Sequence, residues 1–363
     1  MSTAQPLNAL DYQRLGEAAL DPGLAGYVGG GAADEQTLRA NREAFGRWAL
    51  CPRVMTDVER VETGASVAGI RLSMPVLIAP LAYLGMAGHG GEVAAARAAS
   101  AIGTAMCVSA FANASFTEIA AAGPGPAPWF QLYLMRDRGL TLALAEATAA
   151  AGAGALLVTV DAPRLGRRER DLRSGFEIPA DIALPMLDAA YGGRREMSPV
   201  ELFELVDPAA GWDRIAELVE RIGLPVIVKG MLSAEDAVVA CEHGAAGVVV
   251  SNHGGRQLDG AWASLDALPE VVDAVGGRAT VLLDGGVRRG ADVIKALGLG
   301  AEAVLLGRPV FWALAARGEA GVADLLAVLR EELELALALL GCTAPGEVGR
   351  GRLRPVPLSA SIA

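Results

Sequence analysis

The residue types best suited to chemistry lie closest together in the run Ser251-Asn252-His253-Gly254-Gly255-Arg256. It follows the apolar stretch 247–250, so the imidazole stands at the end of an expected strand. Two glycines after it let the backbone turn sharply, so that an imidazole and a guanidinium can face one ligand. An imidazole near its reference pKa of ~6.5 suits general-base work. A lone histidine is more often a core or surface side chain, and His89 and His243 are read that way. The setting of His253 separates it from them. Asp161, ending the stretch 156–160, could orient the ring and stabilise its charged form. Arg168 and Arg256 could clamp a carboxylate through paired N–H donors.

Other apolar stretches also end in polar groups. Asp284-Gly285-Gly286-Val287-Arg288 and Gly307-Arg308 combine small residues with guanidiniums, the makings of a phosphate cradle. Lys229 ends a buried stretch and needs an anionic partner, either a structural carboxylate or a cofactor that becomes anionic when reduced. Gln131 and Tyr133 stand two apart and share one strand face. Ser109 with Phe111, and Pro80-Leu81-Ala82-Tyr83, follow two earlier stretches. Tyr27 precedes three glycines, either a flexible turn or a close backbone turn that presents its ring. No GxGxxG opens a βαβ unit, and no nucleophile elbow, HExxH or P-loop occurs.

The elements that must position these groups are short apolar runs at 76–79, 105–108, 129–133, 156–160, 225–228, 247–250, 280–283 and 303–306. Near-continuous apolar strands belong to sheets covered on both faces. Alanine-rich amphipathic segments between them, such as 91–101, 142–151 and 234–243, predict helices. Eight strands so spaced predict an α/β fold, a (β/α)8 TIM barrel, over a doubly wound open sheet. The whole chain, 1–363, is expected to be one domain: an N-terminal helical extension and lid over 1–70, the barrel over 71–345, and a tail over 346–363. The segment 170–212 is too long for a plain crossover and predicts a mobile loop near the barrel mouth. In such a barrel the site lies at the C-terminal strand ends, where these polar groups gather.

Composition narrows the class. Of 363 residues, 52% are hydrophobic and 20% charged, enough apolar surface to exclude disorder as the main state. The net charge of −11 speaks against binding nucleic acid or an anionic membrane surface. An anionic substrate would therefore need local cations. Cys51, Cys107, Cys241 and Cys342 form no CxxC pair, so neither a metal site nor a disulfide framework is expected. No signal peptide or membrane-length apolar run is evident, which predicts a cytoplasmic protein.

The stretch from Ser251 to Asp259 resembles the signature of the FMN-dependent L-2-hydroxy acid oxidases and dehydrogenases, the glycolate, lactate and mandelate or hydroxymandelate oxidases. The resemblance extends in order through Asp34-Glu35 with Thr37-Leu38 and Asn41, Met74-Pro75 to Ala79-Pro80, Phe130 to Tyr133, Thr159 to Arg168, Val228 to Gly230, Leu283 to Arg289 and Gly307 to Pro309. It covers about Asp11 to Cys342. It implies FMN at the barrel mouth. Ala79, Pro80, Ala82, Ser109, Gln131, Thr159, Lys229 and Ser251 would surround the flavin ring and ribityl chain. Asp284, Gly286, Arg288, Gly307 and Arg308 would hold ribityl and phosphate. Tyr27, Tyr83, Phe111, Tyr133, Arg168 and Arg256 would meet the substrate, with His253 the base, Asp161 its partner, and Tyr133 and Arg256 also serving the reaction.

The implied reaction oxidises an (S)-2-hydroxy acid to the 2-oxo acid, by hydride transfer or through a carbanion, with O2 as final acceptor. A homotetramer or larger assembly is implied too. Phe111 stands where a tryptophan is common, and Gly88-His89-Gly90-Gly91-Glu92 displaces a family histidine by one. Tyr83 replaces the methionine of glycolate oxidases, as in the mandelate oxidase branch. These changes point to a substrate larger than glycolate, with lactate and an aryl-substituted acid both open. The alternatives are a dehydrogenase using a quinone, an FMN-dependent barrel isomerase, and a flavin-binding protein without catalysis. The last two would not need Arg168, His253 and Arg256 together.

Overall fold

Strands rich in Val, Leu and Ile with little polar alternation are stable only where both faces are covered. The computed structural model describes residues 5–179, 182–193, 197 and 199–357. Among these, eight parallel strands form: β1 (Val76–Ile78), β2 (Cys107–Ser109), β3 (Trp129–Tyr133), β4 (Leu156–Thr159), β5 (Val226–Met231), β6 (Gly247–Val250), β7 (Thr280–Asp284) and β8 (Ala303–Leu306). β1 pairs with β8, and the order continues through β7, β6, β5, β4 and β3 to β2. A parallel bridge between Ile78 and Met106 joins β1 to the residues before β2 and closes the ring. With helices between the strands, this is a (β/α)8 barrel.

The strand bounds differ in places from the apolar runs. β2 starts at Cys107 rather than 105, because pairing with β3 runs from Cys107–Trp129 to Ser109–Gln131. β5 continues to Met231, beyond the apolar run, with a register irregularity between Lys229 and Met231. Backbone pairing, rather than side-chain hydrophobicity, sets these ends.

Period two sorts the strand residues into layers. Inside the barrel, Leu77, Cys107, Trp129, Leu157, Ile227, Val249, Leu282 and Leu305 form one apolar plug with Val67 and Leu72. The latter two belong to a hairpin, Ala65–Val67 with Ile70–Leu72, that packs into the same cluster. Alternate residues face outward and meet the helices. Two positions beyond the plug on the same strands stand Ala79, Ser109, Gln131, Thr159, Lys229, Ser251, Asp284 and Gly307. The polar layer is thus one pleat repeat above the apolar one.

Helices Ala9–Ala19, Pro22–Gly29 and Gln36–Gly46 precede the barrel. The first lies against the helical segment Arg308–Leu340, which is kinked at Arg317 and Gly318, so closely that a Cβ at Gly16 would meet Trp312 Cα at 2.6 Å. The segment expected to be a plain mobile loop, 170–212, holds short helices at Glu169–Ser174, Pro185–Ala190 and Pro199–Glu204. A bridge from Met135 to Val206 ties its end to the chain after β3. Parts of that loop and residues 358–363 of the expected tail lie outside the described residues. No described helix is long and apolar enough to cross a membrane.

Candidate active site

The turn after β6 builds one corner of the candidate site. His253, Gly254 and Gly255 all take left-handed conformations, with φ of 59°, 65° and 75°. Such a run is cheap only with glycines in it. At Gly255 a Cβ would stand 2.6 Å from Leu38 N, so this position also admits the N-terminal segment. Ala32 N donates to Gly255 O at 2.8 Å and completes that docking.

The turn brings His253 Nδ1 to 2.8 Å from Asp161 Oδ1, which lies just beyond β4. A carboxylate can only accept, so Nδ1 carries the hydrogen and Nε2 is left as the basic nitrogen. Burial pushes the imidazole below its ordinary range, against the pull of Asp161 and with the help of Lys229. Burial alone would raise the Asp161 carboxyl, but His253 and Lys229 hold it below the usual carboxylate range. The result is a neutral imidazole beside an ionised carboxylate, which suits a general base.

Lys229 is 4% exposed, and its Nζ lies 3.2 Å from Asp284 Oδ2 and 3.0 Å from Ser251 Oγ. Burial disfavours its charge, yet Asp284 and Asp161 hold its pKa above the usual lysine range. Next to it, Tyr133, Thr159 and Lys229 pair in register across β3, β4 and β5. Ser109 Oγ donates to Gln131 Oε1 at 3.3 Å.

Four guanidiniums surround the same space. Arg256 Nη1 donates to the carbonyls of Tyr27, at 2.6 Å, and Gly30, at 3.0 Å. Arg308 Nη2 donates to the same Gly30 carbonyl at 3.1 Å and to Gly254 O at 2.6 Å. Arg288 lies over the Trp312 ring at 5.1 Å. Arg168 and Arg256 both face the Tyr27 ring, at 5.8 and 4.9 Å. Burial pulls Arg256 and Arg308 down to about 9 and Arg288 to about 10. Among the described residues none of the four has a carboxylate ion pair. Cations so desolvated call for anionic ligands.

One cavity collects nearly all these groups. Every site residue expected from the sequence lines it except Asp161 and Ser251. Those two stand behind His253 and Lys229 as their hydrogen-bond partners. Sequence reasoning missed Phe203, which reaches the cavity from the short helix Pro199–Glu204. No periodicity links it to a strand end, and only its aromatic character in a polar loop marked it. Rings of Phe203, Phe111 and Tyr133 meet at centroid distances of 5.4 to 6.1 Å, and Tyr83 stacks on Phe111 at 6.3 Å. Among the described residues no group of three or more His, Cys, Asp or Glu side chains could hold a metal ion.

Residues 17–355 match the family of FMN-dependent dehydrogenases. The chain belongs to that family. An L-lactate oxidase of Nostoc sp. is 48% identical over 349 residues, covering 94% of this chain and 96% of its own. Glycolate oxidase 1 of Oryza sativa subsp. indica is 45% identical over 351 residues, covering 95% of each chain. A solved mandelate oxidase with (S)-4-hydroxymandelic acid superposes with a TM-score of 0.89 at 40% identity, over 96% of this chain and 98% of that one. This FMN-dependent dehydrogenase is accordingly an oxidoreductase of the 2-hydroxy acid oxidase class, and FMN is its cofactor.

The residues present fit that cofactor. Gln131 Nε2 and Asp284 Oδ1 are buried without a protein partner among the described residues, and both residues line the cavity. They would offer a donor and an acceptor to a polar ring edge and a ribityl hydroxyl. Arg288 and Arg308, with Gly286 and Gly307 in the same cavity lining, would suit the phosphate.

Proposed function

We propose that this enzyme oxidises an (S)-2-hydroxy acid with an aryl side chain, of the mandelate or 4-hydroxymandelate kind, to the 2-oxo acid, and passes the electrons to O2 to give hydrogen peroxide. The observation that carries the substrate reading is the aromatic wall of Tyr83, Phe111, Tyr133 and Phe203. Offset and tilted ring contacts favour an aromatic substituent over a hydrogen or a methyl group. A phenyl ring fills space that glycolate would leave to water.

The chain's own residues divide the work. Arg168 and Arg256 bind the carboxylate and fix C2 and its hydroxyl in the cavity. Burial keeps the Tyr133 phenol well above its usual pKa, so it stays a neutral donor toward substrate oxygen. His253 Nε2 takes a proton, from the hydroxyl or from C2, and Asp161 stabilises the imidazolium that results. FMN, when bound, supplies the acceptor for the two electrons. Lys229, held charged by Asp284 and Asp161, favours negative charge gathering on its side of the cavity. A homotetramer accompanies this reading, on resemblance alone.

The test is an anaerobic screen of flavin bleaching with mandelate, 4-hydroxymandelate, L-lactate and glycolate, followed by reoxidation with O2 or a quinone. Fast bleaching by the aryl acids and prompt recovery in oxygen are expected. Bleaching by glycolate or lactate alone would remove the aryl reading, and recovery only with the quinone would make the enzyme a dehydrogenase.

A further inference from the structure

Glu92 is a carboxylate that the chemistry above does not use, and it is 1% exposed. It belongs to the first turn of the helix Gly91–Ile102, which follows β1. Burial pushes its carboxyl above the usual range, opposed by the amides of Asn113 and Leu84. A buried carboxylate is a costly way to fill space, and a well-packed apolar side chain would serve a core better.

Its hydrogen bonds say what it does. One oxygen, Oε1, accepts from Leu84 N at 3.0 Å and from Asn113 N at 3.0 Å. Leu84 follows Tyr83, and Asn113 comes two residues after Phe111. A single atom therefore joins the loop after β1 to the loop after β2, next in sequence to Tyr83 and two residues from Phe111. Tyr83 N donates to Phe111 O at 3.1 Å, and their rings lie within 9° of parallel. Tyr83 is left-handed, with φ of 59°, a conformation a tyrosine keeps only where its surroundings impose it.

The approach is close by design of the backbone. Gly88, His89, Gly90 and Gly91 all have positive φ, and a Cβ at Gly91 would meet Gly85 Cα at 2.9 Å. The helix start is thereby pressed against the loop that Glu92 anchors. Asn113 extends the tie outward: its Oδ1 accepts from Gly85 N at 2.9 Å, and its Nδ2 donates to Ala183 O at 2.9 Å, in the long loop that also carries Phe203.

We propose that Glu92 is a positioning residue for substrate discrimination, setting through Oε1 the spacing of the Tyr83–Phe111 wall and so the size of the C2 substituent that the cavity accepts. This rests on the reading that these rings meet the substrate. Glu92 touches neither substrate nor cofactor and acts through the two loops.

The experiment uses FMN-loaded enzyme and the ratio of kcat/KM for mandelate to that for L-lactate. Glu92→Gln keeps an oxygen able to accept from both amides and is expected to hold the ratio within about 3-fold. Glu92→Ala releases both loops and is expected to lower it by about 10-fold or more while FMN stays bound, the scale of one pocket contact. Glu92→Asp, one methylene short of bridging both amides, serves if the alanine variant does not fold, and is expected to lower the ratio likewise. Phe111→Ala is the control for the wall itself. If it shifts the ratio and neither Glu92→Ala nor Glu92→Asp does, the positioning role is lost and the aryl reading stands. If Phe111→Ala leaves the ratio unmoved, the wall is not the substrate site and both fall. A glutamine variant that behaves like alanine would also overturn the proposal, because charge rather than the bridge would be at work.

Discussion

Asp161 and His253 are separated by 92 positions in sequence, yet Oδ1 of one lies 2.8 Å from Nδ1 of the other. Each stands two residues past an in-facing polar residue, Thr159 on β4 and Ser251 after β6, so the barrel rather than any local motif brings them together. The pairing leaves Nε2 free to act as the proposed base, with Asp161 orienting the ring.

Removing the base should therefore separate chemistry from binding. His253→Ala is expected to slow anaerobic flavin reduction by about 100- to 10,000-fold while FMN content is retained. Asp161→Asn should fall between this variant and wild type. Stopped-flow absorbance with mandelate reads both, and an unchanged rate in His253→Ala would reject the assignment.

The pH dependence has a definite sign. Burial depresses the His253 pKa, so the acid limb of kcat/KM should lie below the ordinary imidazole value of ~6.5. Asp161 works against that depression, so Asp161→Asn should move the limb lower still, even as it reduces the rate. For stability the unfolded chain binds more protons at this group than the folded one. It therefore subtracts stability as pH falls below about 6.5. A pH series of kcat/KM for the two proteins decides the first point, and an acid limb moving upward in Asp161→Asn would contradict it.

Arg288 carries a contrast between apoprotein and holoprotein. Arg288 as a residue is 8% exposed, its pKa is depressed to about 10, and it has no carboxylate partner among the described residues. Arg288→Met should weaken FMN binding by about 10- to 100-fold, the loss of a charge-assisted contact. The same change removes a buried charge, so the apoprotein should melt at the same or a higher temperature. Fluorescence titration with FMN and a thermal scan of the apoprotein test the two halves separately.

Phe203 should matter for large substrates and little for small ones. Its ring lies 5.8 Å from Tyr133 and 6.1 Å from Phe111. Phe203→Ala is expected to lower kcat/KM for mandelate by about 10-fold or more, with a smaller change for glycolate. Equal losses for both substrates would place Phe203 outside the discriminating wall.

The positions of most site residues were legible because two periodicities coincide. Apolar runs marked the strands, and step-two alternation carried six of the eight to a polar residue at the same end. Glycines helped: Gly254 and Gly255 are needed where φ is positive, and Gly285 and Gly286 likewise, at 93° and 88°. Glu92 showed no such signal, since a glutamate at the start of a helix ordinarily faces solvent near the helix dipole. The Gly30 carbonyl, shared by Arg256 and Arg308, was equally hidden, because a backbone acceptor has no letter of its own.

By itself the sequence determined the barrel, its family and the ring of polar strand ends, because these depend on local periodicity and residue type. Its −11 charge also required local cations for any anionic ligand, and Arg168, Arg256, Arg288 and Arg308 line one cavity. Only the tertiary structure decided which nitrogen of His253 is free, that Lys229 is shared between Asp284 and Ser251, that Phe203 lines the cavity, and that Glu92 bridges the loops after β1 and β2. Those are relations between atoms from distant segments, created when the ring closes and the loops pack over its mouth.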